Sequence, residues 1–139
     1  MCIRDRYLAD DSGIEIDALG GRPGVISARY AGLECDDEAN NDKVIKEMSE
    51  VPETKRTCRF QCVLALLAKE KEHFFSGTCE GRLLFEGRGK DGFGYDPLFL
   101  PKGSAGTFAE ILPAEKANIS HRARAMSKLI NWLGSGKVL

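Results

Sequence analysis

"KRTCRFQCVLALLAKEK", residues 55–71, decides the fold. It opens in strict alternation. Cys58, Phe60 and Cys62 fall to one side, Arg59 and Gln61 to the other, and from Val63 to Ala68 the run is apolar without a break. Alternation is the two-residue period of a half-buried strand; a short continuous apolar run suits a buried strand or a buried helix. The spacing predicts one long strand, with a helix as the alternative. The next stretch, "EHFFSGTCEGRLLFEGR" (72–88), reads as one or two further strands with a kink at Gly77 or Gly81. Strand directly after strand calls for antiparallel pairing.

Working outward, "YLADDSGIEIDAL" (7–19) alternates Ile14 and Ile16 with Glu15 and Asp17, a short strand rhythm, and "GGRPGV" (20–25) is turn chemistry. "ISARYAG" (26–32) suits a helical turn or a loop. "DDEANNDKVIKEMSEVP" (36–52) predicts a helix, with Asp36 or Asp37 as cap, Val44, Ile45 and Met48 as its apolar stripe, and Pro52 as its stop. Downstream, "GKDGFGYDPLFLP" (89–101) reads as a glycine-rich loop running into a short apolar strand. "KGSAGTFAEILPAEK" (102–116) follows as a polar loop and a turn of helix. "NISHRARAMSKLINWL" (118–133) predicts a helix capped by Ser120, with Ala123, Met126, Ile130 and Leu133 on one face. The domain is expected over 7–134, with 1–6 a non-native leader and 135–139 a tail.

The length, 139 residues, sets one domain with a real core. Lys plus Arg is 20 and Asp plus Glu is 21, a net charge of −1, which gives no reason to expect nucleic acid or an anionic membrane as partner. Five cysteines, an odd number at scattered spacings, do not form a zinc pattern. Cys58, Cys62 and Cys79 read as buried thiols in a reducing, cytoplasmic setting.

Four stretches carry chemistry. In "ADDSG" (9–13) a strand ending in Asp10-Asp11 puts a carboxylate at its tip. Such a group can hold Mg²⁺ or take a proton from an attacking water, and Ser12 and the Gly13 amide add donors for a phosphate oxygen. An Asx turn closing a strand fits the same residues. In "KDGFGYDPLF" (90–99) glycines let backbone approach a ligand, and Phe93 or Tyr95 offers a face on which a base can stack; a hairpin with core aromatics fits too. "EKANISHR" (115–122) gathers Lys116, His121 and Arg122 at a helix start, donors suited to an oxygen at purine position 6 and unsuited to the amino group of adenine. A solvated basic helix start is the other reading. In "RPGVISARYAG" (22–32) Arg22 and Arg29 suit a phosphate, an oligomer interface, or only the surface of a turn.

With "ADDSG", "PGVISARYAG", "GFGYDPLF", "TFAEI" and "EKANISHR" in this order, the chain from about Tyr7 to Trp132 resembles the inosine triphosphate pyrophosphatase family, which includes the dITP/XTP pyrophosphatases. The resemblance implies an elongated α/β fold, with a long mixed sheet, flanking helices and two lobes around a cleft. It implies Mg²⁺-dependent hydrolysis of dITP, ITP or XTP to the monophosphate and pyrophosphate, in a homodimer. Asp11 matches the family's proton-accepting, metal-associated acid and Asp10 its neighbour. Ser12, Phe93, Gly94, Tyr95 and Asp96 match substrate contacts, and Lys116, His121 and Arg122 match the grip on a 6-oxo base. Family members carry a Ser/Thr-Gly-Asn phosphate loop and a metal-binding Glu ahead of "ADDSG". Neither stands here, so the chain is expected to be an N-terminally truncated member with impaired turnover. The alternative is a non-catalytic fragment that binds purine nucleotide or dimerises.

Overall fold

The computed structural model describes residues 7–68 and 71–135. The expected leader and nearly all of the tail lie outside them. Four strands form one sheet in the order β1-β2-β3-β4, where β1 is Tyr7–Ile16, β2 Thr57–Ala68, β3 Lys71–Leu83 and β4 Phe99–Pro101. Every pairing between these strands is antiparallel. Three helices complete the α/β domain: α1 Asp37–Glu47, α2 Pro113–Ile119 and α3 His121–Gly134. No helix among the described residues is long and apolar enough to cross a membrane.

The long strand predicted at 55–71 is β2, and its alternation is the burial pattern. Cys58, Phe60, Cys62 and Leu64 are buried. On the same face, pairing places Ile16 against Cys58, Ile14 against Phe60 and Ser12 against Cys62. The main core gathers Ile14, Ile16, Cys58, Phe60, Cys79, Leu83 and Phe99 with Val44 of α1, Met48 just past its end, Tyr30, Tyr95 and Phe108. A second cluster places Cys62, Leu64 and Phe75 under Ala125 and Leu129 of α3.

Four expectations change. The strand does not stop at the two aspartates: β1 is continuous across them, so Asp10 and Asp11 sit mid-strand, opposite Leu64 and Val63. β3 has no break at either glycine. Gly77 serves instead as the crossing point of α3, where a methyl group would collide with the His121 carbonyl and the Ala125 amide nitrogen. That crossing also selects which stripe of α3 is buried. His121, Ala125 and Leu129 face the sheet, while Ile130 and Leu133 of the expected face are exposed. The caps follow the sequence: Ser120 Oγ accepts from the Ala123 amide, and the Asp36 carboxylate accepts from the amides of Glu38 and Ala39. The first helix ends at Glu47, well before Pro52.

Candidate active site

A cavity of about 560 Å³ opens between α3, α2, β1 and the 92–96 loop. Its walls include Ser12, Phe93, Gly94, Tyr95, Asp96, Lys116, His121 and Arg122. These eight residues come from three stretches far apart in sequence, and they are the eight expected to contact a substrate.

The loop is held from two sides. The Tyr95 hydroxyl donates to the Ser27 carbonyl at 2.6 Å, and Ser27 Oγ accepts from the Ile14 amide at 2.9 Å. Strand β1, the turn at 24–29 and the 92–96 loop are thereby one bonded unit. From α1, the Asp37 carboxylate accepts the Gly94 amide at 2.9 Å, and Asn41 Nδ2 donates to the Gly94 carbonyl at 3.1 Å. Gly92 and Gly94 both have positive φ, and a side chain at Gly92 would strike the Asp96 carboxylate.

This geometry separates the two aromatics. Tyr95 is 4% exposed and spends its hydroxyl on Ser27, so it builds the wall. Burial, with Tyr30 and Asp37 nearby, holds its phenol well above the usual range. Phe93 is 61% exposed and presents its ring at the mouth, with Lys116 Nζ 4.9 Å and the Arg122 guanidinium 5.9 Å from its centroid. A planar ligand can lie there between an aromatic face and two cations. The buried Asp96 carboxylate fixes this arrangement, accepting from Lys116 Nζ at 2.7 Å and from the Phe93 amide at 3.0 Å.

His121 forms the floor. Its ring stacks on Phe60 at 4.7 Å, and its Nδ1 is buried with no hydrogen-bond partner among the described residues. Burial, then the charges of Arg122 and Lys116, push its pKa down to about 4 against the opposing pull of Asp10. The imidazole is therefore neutral at pH 7, with one nitrogen to donate and one to accept. An unpaired buried ring nitrogen in a cavity wall is satisfied when a polar ligand enters.

The two aspartates part company. Asp10 lies on the cavity side of β1, where its carboxylate accepts from Arg122 Nε at 2.8 Å, from Ser12 Oγ at 3.1 Å and from the Cys62 thiol at 3.6 Å. Asp11 projects to the opposite face into a smaller hollow of about 80 Å³, with Gln61, Val63 and Val25. The two hollows share Ser12 and Gly13. Adjacent strand residues on opposite faces do not ligate one ion together, and among the described residues no three His, Cys, Asp or Glu side chains converge on a metal position. The Asp11 carboxylate makes no ion pair or hydrogen bond to other described residues. Arg29 is exposed and lines neither hollow; Arg22 Nε donates to the Leu19 carbonyl.

Sequence reasoning missed the supports. Asp37 and Asn41 hold Gly94, and Ser27 links strand to loop, yet nothing local joins positions so far apart. Phe60 was read only as a core residue, and it is also the stacking partner of His121.

Fold and cavity together define an α/β domain whose cleft is lined by an exposed aromatic, a neutral histidine and two cations. The chain belongs to the Ham1 family, whose model matches residues 2–132. It is 53% identical over 127 residues to a dITP/XTP pyrophosphatase of Oceanobacillus iheyensis, covering 91% of this chain and 64% of that protein. It is 50% identical over 132 residues to the Bacillus subtilis dITP/XTP pyrophosphatase, covering 94% and 67%. The chain thus spans about two thirds of the length of these curated relatives. The structure superposes on the Staphylococcus aureus Ham1 protein with TM-score 0.91 at 37% identity, covering 97% of this chain and 70% of that one. On a Mycobacterium abscessus dITP/XTP pyrophosphatase it superposes with TM-score 0.80 at 40% identity, covering 92% and 66%.

Proposed function

We propose that this protein hydrolyses non-standard purine nucleoside triphosphates, dITP, ITP and XTP, to the monophosphate and pyrophosphate. The observation that carries the reading is the cavity itself, which gathers Phe93, Lys116, His121 and Arg122 around one slot. The dITP/XTP pyrophosphatase relatives, with about half the residues identical, support it.

In this reading the base stacks on Phe93, for about 1–3 kcal/mol. Lys116 and Arg122 donate to the 6-oxo oxygen, and the His121 floor supplies one donor and one acceptor. Adenine meets the same cations with an amino group, and unpaired buried donors are costly. The phosphates extend from the slot past Ser12 and Gly13, which line both hollows, toward Asp11. Asp11 takes the proton of the attacking water. A lone carboxylate fits Mg²⁺, which keeps waters and uses phosphate oxygens for its remaining positions. Asp11 is the residue that would hold it, and the bound ion would neutralise phosphate charge as the bond breaks. The homodimer implied by the family resemblance belongs to the same proposal.

The test is pyrophosphate release by the purified protein with Mg²⁺ and dITP, XTP, dGTP or dATP. Release from dITP and XTP, with Asp11→Asn slower by about 10²-fold or more, is the expected result. Release of single phosphates, or equal rates on dATP, would replace this reading with another phosphohydrolase.

A further inference from the structure

Asp10 already accepts three hydrogen bonds. One carboxylate oxygen accepts from Arg122 Nε at 2.8 Å, and the other accepts from Ser12 Oγ at 3.1 Å and the Cys62 thiol at 3.6 Å. Cys62 is fully buried, and burial holds its thiol above its usual range, so it stays a neutral donor pointing at the carboxylate. Three donors from β1, β2 and α3 converge on one side chain. Arg122 Nη2 also lies 3.4 Å from Ser12 Oγ, so the guanidinium is gripped along one edge by β1. Its other neighbour is the Phe93 ring at the cavity mouth.

We infer that Asp10 is a positioning residue for Arg122: it fixes the guanidinium beside Phe93, and thereby sets recognition of the base's 6-oxo group, while taking no part in metal binding. The inference rests on the reading of the cavity as a 6-oxo-purine site. Arginine alone is a long side chain with several rotamers, and ordering it on binding costs affinity. A carboxylate that orders it beforehand removes that cost. The adjacent acids therefore divide the work by the period of the strand. Asp10 serves the base on one face, and Asp11 is left for the phosphates on the other.

Equilibrium binding separates this role from the others, because dIMP in metal-free buffer needs neither turnover nor Mg²⁺. Wild type, Asp10→Asn, Arg122→Ala and the double variant are titrated with dIMP and dAMP by calorimetry, with folding of each checked by circular dichroism. Asp10→Asn is expected to weaken dIMP about fivefold and dAMP hardly at all, and to add less than about twofold in the Arg122→Ala background. In turnover it raises the KM for dITP more than it lowers kcat and leaves the Mg²⁺ dependence unmoved. Asp10→Glu, which keeps the charge, recovers part of the loss and serves if Asp10→Asn does not fold. Additive losses in the double variant, or a shifted Mg²⁺ requirement with dIMP binding intact, would overturn the inference while leaving the cavity reading standing. A wild type that does not prefer dIMP to dAMP would overturn both.

Discussion

The Tyr95 hydroxyl donates to the backbone carbonyl of Ser27 at 2.6 Å, closing a span of 68 residues. Ser27 in turn receives the Ile14 amide, so the cavity's loop, its turn and its strand share one set of bonds. Tyr95→Phe leaves a buried carbonyl without a donor. It should cost about 1–2 kcal/mol in urea denaturation and weaken dIMP binding, because Phe93 loses its fixed base.

Gly77 lies under α3 where a side chain would meet helix backbone, not a flexible tip. Gly77→Ala should therefore lift α3 and move His121 and Arg122 with it. The expected loss is about 3 kcal/mol or more of stability, with dIMP binding lost in the folded fraction. Unchanged denaturation midpoints would refute the close crossing.

Arg56 is fully buried, with no carboxylate partner among the described residues. Its guanidinium donates to the carbonyls of Met48, Val51, Leu83 and Leu84 and stacks on Phe85 at 3.9 Å. It joins the end of α1 to the end of β3. Arg56→Met should cost about 3 kcal/mol or more, since several buried carbonyls lose their donors together. Arg56→Lys should restore little, because a point charge cannot span that fork.

His121 gives the fold an acid-sensitive element. Its folded pKa of about 4 lies below the 6.5 usual for a solvated imidazole, so the unfolded chain binds the extra proton first. The stabilising effect is fully present above about pH 6.5, falls as pH drops toward 4, and is then gone. Its size is up to about 3 kcal/mol. Denaturation curves from pH 7.5 to 4 should show the wild type losing more stability than His121→Gln by roughly this amount. The chain has only two histidines, so an NMR titration reads the site directly.

The sheet was legible because Cys58, Phe60 and Cys62 alternate with Arg59 and Gln61, the period of a strand with one buried face. The reach of β1 was hidden because Asp10 and Ser12 are polar on the inward face: they line or serve the cavity, and the hydrophobic period fails where function replaces core. The face of α3 was misjudged for another reason. Its apolar residues make two stripes, and the choice between them is made by Gly77 on a different element. At the site, the motifs named residues that the fold brings to one cavity. What they could not tell was that Phe93 is open and Tyr95 closed, since both fit a glycine-rich loop equally and only the Ser27 carbonyl decides. The division between Asp10 and Asp11 needed only the strand's boundary, because alternation then follows.

The central claim is that the slot beside Phe93, Lys116, His121 and Arg122 reads a 6-oxo purine. The most direct measurement is the ratio of Kd for dIMP and dAMP in metal-free buffer. The account predicts dIMP tighter by about tenfold or more, and a ratio near one in Arg122→Ala. Equal affinity of the wild-type protein for the two nucleotides would contradict it.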